Sequence, residues 1–116
     1  MLVEFYKRAD GIKPAGEFIK SIEDQKLKAK MIRTVKLLEQ FGTELGEPDS
    51  KYLEDGIFEL RCIQGNNIAR CLYFYMSGDK AIVTNGIIKK TNKTPRIAIE
   101  IAKANRADYE GRYDHE

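Results

Sequence analysis

The sequence predicts an α+β domain with the element order β-α-α-β-β-β-α. Three observations predict it. Residues 57–95 alternate apolar and polar side chains between turn signals at Gly65-Asn66 and Ser77-Gly78. Residues 23–41 carry an apolar stripe at spacings of three and four. Thr94-Pro95 then announces a last helix.

The elements follow in chain order. Residues 2–7 read as a short strand, closed by a turn at Asp10-Gly11. Pro14 suits the first turn of a helix that continues through Phe18, Ile19 and Ile22. Leu27, Met31, Val35, Leu38 and Phe41 form the stripe of the second helix, and Gly42 ends it. Lys26, Lys28, Lys30, Arg33 and Lys36 lie off that stripe, as a solvated face or as a surface for RNA or a partner. Residues 42–52 read as a loop, and a three-stranded antiparallel meander follows. Thr94 is placed as N-cap of the final helix and Pro95 as its first residue, with Ile97, Ile101 and Ala104 on the buried stripe and Ala98 and Ala102 alongside. The whole of 1–116 is read as one domain, with residues 108–116 as a polar, frayed tail.

Composition excludes several classes. A net charge of +2 on 116 residues gives no global attraction to polyanions. Two cysteines, Cys62 and Cys71, supply neither a disulfide framework nor a zinc site, and they read as buried apolar groups in a reducing cytoplasm. No stretch reaches the roughly 20 apolar residues of a membrane span, and no secretory signal opens the chain. No ligand spacing suggests a metal, and no cofactor is expected. The single histidine, His115, cannot form a paired-histidine acid–base site within one chain.

The meander carries the chemistry. Centring the first hairpin on Gly65-Asn66 sets Arg61 against Arg70, Ile63 against Ile68 and Glu59 against Leu72. Centring the second on Ser77-Gly78 sets Arg70 against Asn85. One face then holds Glu59, Arg61, Arg70 and Asn85 near its middle. The other holds Phe58, Leu60, Cys62, Ala69, Cys71, Tyr73 and Tyr75, and is the better face for a helix-covered core. Like charges set opposite each other repel. Either Glu59 bridges the arginines in an ordinary cross-strand network, or two guanidinium forks converge on a phosphate. Lys89, Lys90 and Lys93 follow in a basic segment that enters a helix N-terminus, which favours anions.

Three stretches together resemble the RelE/HigB superfamily of toxins, and most of all its phage-derived HigB-like branch. They are Leu53-Glu54-Asp55-Gly56-Ile57-Phe58-Glu59-Leu60-Arg61, Arg70-Cys71-Leu72-Tyr73-Phe74, and Ile88-Lys89-Lys90-Thr91-Asn92-Lys93-Thr94-Pro95. The resemblance implies a RelE-like fold and the toxin of a type II toxin–antitoxin module, a ribosome-dependent, metal-independent endoribonuclease that cuts mRNA and blocks translation. It implies Arg61, Arg70, Lys90 and Lys93 as catalytic residues, and Glu59, Lys89, Asn92, Thr94 and Arg96 as RNA-binding residues. Tyr109, Tyr113 and His115 occupy the region where some relatives place a tyrosine or histidine. The implied partners are the ribosome, mRNA and a cognate helix-turn-helix antitoxin of HigA type, all in the cytoplasm. The alternative is a toxin of the same fold, or a nucleic-acid-binding module, without ribonuclease activity, such as a gyrase inhibitor.

Overall fold

The computed structural model describes residues 1–113 and contains a five-stranded mixed sheet with three α-helices. The strands are β1 (Leu2–Phe5), β2 (Ser50–Glu54), β3 (Ile57–Gln64), β4 (Asn67–Met76) and β5 (Lys80–Lys89). Their spatial order is β1-β5-β4-β3-β2, with β1 parallel to β5 and the other neighbours antiparallel. The helices are α1 (Pro14–Ser21), α2 (Gln25–Phe41) and α3 (Arg96–Tyr113).

Local chemistry sets the helix boundaries. Pro14 begins α1, where a missing N–H costs nothing. The Asp24 carboxylate accepts from the backbone N–H groups of Lys26 and Leu27 and starts α2. Gly42 ends α2 at φ 57°, and its N–H bonds the Leu38 carbonyl.

Both faces of the sheet are buried. Ala15, Ile19, Leu27, Met31 and Leu38 of α1 and α2 pack on Leu60, Ala69, Cys71, Tyr73 and Val83, the face expected to be covered. On the reverse face α3 packs Ala98, Ile99, Ala102 and Tyr109 against Ile57, Leu72, Phe74 and Ile82. The buried stripe of α3 is therefore turned by about one residue, roughly 100°, from the expected one. Ile97 and Ile101 are exposed, while the small Ala98 and Ala102 let the helix sit close to the sheet. Two amides hold it there: Asn85 Nδ2 donates to the Ala98 carbonyl at 3.2 Å, and Asn105 Nδ2 to the Thr84 carbonyl at 3.1 Å.

Four further expectations are corrected. Residues 50–54 are strand rather than loop, so the meander has four strands. The second hairpin pairs Met76 with Lys80 across a three-residue loop, with Ser77 and Gly78 at positive φ. A bulge after Leu72 then moves Asn85 opposite Leu72 and places Ile87 opposite Arg70. Helix α3 begins at Arg96, one residue later than expected, because the Thr94 hydroxyl is used elsewhere. It also continues through residue 113, where a frayed tail was expected, because Tyr109 is buried against Phe74. His115 lies outside the described residues. Among the described residues no helix is long and apolar enough to cross a membrane.

Candidate nucleic-acid interface

The first hairpin places the two arginines as its turn dictates. Arg61 pairs with Arg70 and Glu59 with Leu72, so both guanidiniums and the carboxylate share the α3 side of the sheet. Glu59 Oε1 lies 3.4 Å from Arg70 Nε, and Glu59 Oε2 lies 3.9 Å from Arg61 Nη1. The carboxylate thus stands between two cations that would otherwise repel. Thr94 donates its hydroxyl to Glu59 Oε1, and Arg70 Nη2 donates to the Thr91 carbonyl.

Burial divides the two arginines. The Arg70 side chain is 0% exposed and Glu59 1%, whereas Arg61 keeps 16%. Burial pulls the Arg70 pKa below its ordinary value, Glu59 opposes that, and Arg61 adds to it. Arg70 Nε and Nη1 and Glu59 Oε2 have no hydrogen-bond partner. In this conformation Arg70 cannot touch a ligand in solvent.

The basic segment covers this buried group. Strand β5 ends at Lys89, and Lys90, Asn92 and Lys93 are exposed in the bend that follows. Thr91 Oγ1 donates to the Lys93 carbonyl at 3.2 Å and closes the bend on itself. No carboxylate among the described residues pairs with Lys89, Lys90 or Lys93. Arg96 differs, since Glu54 binds it with both oxygens and Glu100 Oε1 accepts from two of its nitrogens. The hydrogen bonds from Arg96, and after them the one from Lys103, hold the Glu54 carboxyl down at about 2.

The expected residues do not form one cavity. Arg61 lines a cavity of about 440 Å³ with Lys30, Arg33, Glu47, Asp49 and Cys62. Lys93, Thr94 and Arg96 line a separate cleft of about 290 Å³ with Lys51, Tyr52 and Ile99. Arg70 lies beneath and lines neither. What joins the two sides is Glu59, which contacts Arg61 on one side and Thr94, the neighbour of Lys93, on the other. Of the residues the resemblance pointed to near the C-terminus, Tyr109 is a core residue 2% exposed and in contact with Phe74.

Lys51 was missed by sequence reasoning. It pairs with Glu59 across β2 and β3, so it projects on the same face and is exposed. The signal was Asp55-Gly56, which joins β2 to β3 with φ of 48° and 76°. An Asp-Gly pair at positive φ is a strong hairpin mark, and it implies a strand on its N-terminal side.

The model of the phage derived protein Gp49-like family matches residues 17–107. The chain belongs to this family. The match runs from α1 into α3 and includes Glu59, Arg61, Arg70 and the basic segment. The Gp49-like family stands in the context of RelE/ParE-like toxins. No curated protein matches the chain. In this Gp49-like chain, cations therefore gather on both sides of a buried carboxylate, a charge arrangement suited to an anionic ligand that approaches from solvent.

Proposed function

We propose that this chain is the toxin of a type II toxin–antitoxin module, of the HigB-like branch, and that it cuts mRNA in the ribosomal A site. The observation that carries the reading is that Lys51 and Lys93, which line one cleft and form no ion pair among the described residues, stand across the buried Glu59–Arg70 pair from Arg61, with Lys90 exposed in the same bend as Lys93. The Gp49-like membership supports it.

The chemistry would be attack of a ribose 2′-OH on the adjacent phosphorus, which forms a 2′,3′-cyclic phosphate as the bond from phosphorus to the next nucleotide's 5′-oxygen breaks, with charge growing on the phosphate oxygens. Arg61 stabilises that charge, because its planar fork meets two phosphate oxygens at once. A lysine of the bend, Lys90 or Lys93, takes the 2′-OH proton as the neutral amine, and the ammonium so formed returns a proton to the departing 5′-oxygen. Glu59 is a poor base here, since Arg70, Arg61 and Thr94 already surround its carboxylate. The ribosome supplies substrate alignment, which lowers the demand on the toxin's own groups. The inferred partners are the ribosome, mRNA and a small helix-turn-helix antitoxin that silences the protein.

A second reading, a toxin of this family without ribonuclease activity such as a gyrase inhibitor, is favoured by one observation. Arg70, one of the two arginines expected to contact substrate, has no exposed surface. Primer extension on messages from cells expressing this chain separates the two. Cuts in phase with codons on translated messages are the expected result. Intact messages accompanied by DNA damage would replace the first reading with the second.

A further inference from the structure

Two hydrogen bonds tie the basic bend to the sheet, and they hold its two ends. Arg70 Nη2 donates to the carbonyl of Thr91, and Thr94 donates to Glu59. Arg70 and Glu59 lie on adjacent strands and are themselves paired at 3.4 Å. The result is a closed chain of contacts: Thr91, Arg70, Glu59, Thr94. Asn92 and Lys93 are the residues between the two anchor points, and both are exposed.

We propose that Arg70 is a positioning residue: with Glu59 it clamps both ends of the Thr91–Thr94 bend, and so fixes where Lys93 stands, without itself touching the anionic ligand. This deepens the RNA-binding reading above and rests on it. The geometry suits an arginine. A guanidinium fork meets the Thr91 carbonyl with one nitrogen while another, fixed in the same plane, faces the Glu59 carboxylate, whereas an ammonium carries all its donors on one flexible atom. Placing this ion pair under the bend leaves the surface lysines without carboxylate partners. The competing reading is that Arg70 Nη1, which has no hydrogen-bond partner, binds a phosphate that enters when the bend lifts.

The test combines two measurements on Arg70→Met, Thr94→Val, Lys93→Ala and the Arg70→Met/Lys93→Ala double variant, with Arg61→Ala as the control. Backbone amide order parameters at Asn92 and Lys93 are expected to fall from the rigid range of about 0.85 toward 0.6 in Arg70→Met and Thr94→Val, and to stay unchanged in Arg61→Ala. Unchanged values in both clamp variants overturn the proposal. Binding of a single-stranded RNA oligonucleotide is then followed against salt. Losing one phosphate contact lowers the salt slope by about 1. Arg70→Met, Lys93→Ala and the double variant are expected to share that single loss, because Arg70 acts through Lys93. A loss of about 2 in the double variant means that Arg70 meets phosphate itself, and overturns the proposal. Should Arg70→Met fail to fold, Thr94→Val removes one hydroxyl from the same clamp, and Thr94→Val/Lys93→Ala completes the cycle. If the wild-type protein binds no RNA while the order parameters respond as stated, the clamp stands and the RNA reading falls.

Discussion

Thr94 gives its hydroxyl hydrogen bond to the buried Glu59 carboxylate, 35 residues away in sequence, rather than to the helix that starts two residues later. The usual cap is given up to hold a carboxylate between two arginines. Stability and the proposed function therefore share the same few atoms.

Glu59→Ala is expected to be among the most destabilising single changes in the chain. It leaves buried Arg70 without its carboxylate and opposite Arg61. Breaking a buried ion pair from one side costs about 3–5 kcal/mol. Urea unfolding should show that loss as a lower midpoint with an unchanged slope. A loss under about 1 kcal/mol, the range of exposed ion pairs, would mean that the pair is not desolvated.

Arg61→Ala is the clean functional variant, because its partner at 3.9 Å is retained by Arg70 and Thr94. Growth of cells expressing this variant should recover, and message cleavage should fall roughly 10²–10³-fold, as for loss of one donor to a developing oxyanion. Arg70→Ala would also abolish toxicity, but through the fold. Toxicity undiminished by Arg61→Ala would rule out the proposed role.

Gly86→Ala tests how closely α1 approaches the sheet. A Cβ at Gly86 would stand 2.1 Å from Cδ2 of the Phe18 ring, far inside contact distance. Displacing a packed ring costs about 1–3 kcal/mol, which lowers the melting temperature by several degrees. Thermal unfolding with no shift would show that the Phe18 ring moves freely aside.

The two thiols predict a loss of stability in alkali. Burial pushes the Cys62 thiol up to about 11 and Cys71 higher still. The folded protein therefore keeps protons that the unfolded chain releases. Stability is full below the ordinary thiol value of about 9 and falls as pH rises from there toward about 11. Denaturation midpoints between pH 8 and 11 check the sign, with Cys62→Ala/Cys71→Ala flattening the curve. Native protein at neutral pH should also react slowly with a thiol reagent, and unfolded protein fast.

How much was legible depended on whether the information was local. The register of the first hairpin could be read because a two-residue turn at Gly65-Asn66 fixes it, and Arg61 does pair with Arg70. The second register could not, because a positive φ at Ser77 and a bulge after Leu72 each shift the pairing by one residue. Strand β2 escaped because Ser-Lys-Tyr-Leu-Glu is short, half polar and sits at a sheet edge, although Asp55-Gly56 marked it.

Turn chemistry and side-chain period, which are properties of neighbours along the chain, were enough to place Glu59, Arg61 and Arg70 on one face of β3 and β4. The tertiary structure alone buried Arg70 beneath the Thr91–Thr94 bend, left Arg61 an exposed edge and brought Lys51 to the same face. It also decided that Arg96 is taken up by Glu54. Burial and ion pairing depend on which distant segments arrive at a side chain, and no spacing within one strand encodes that.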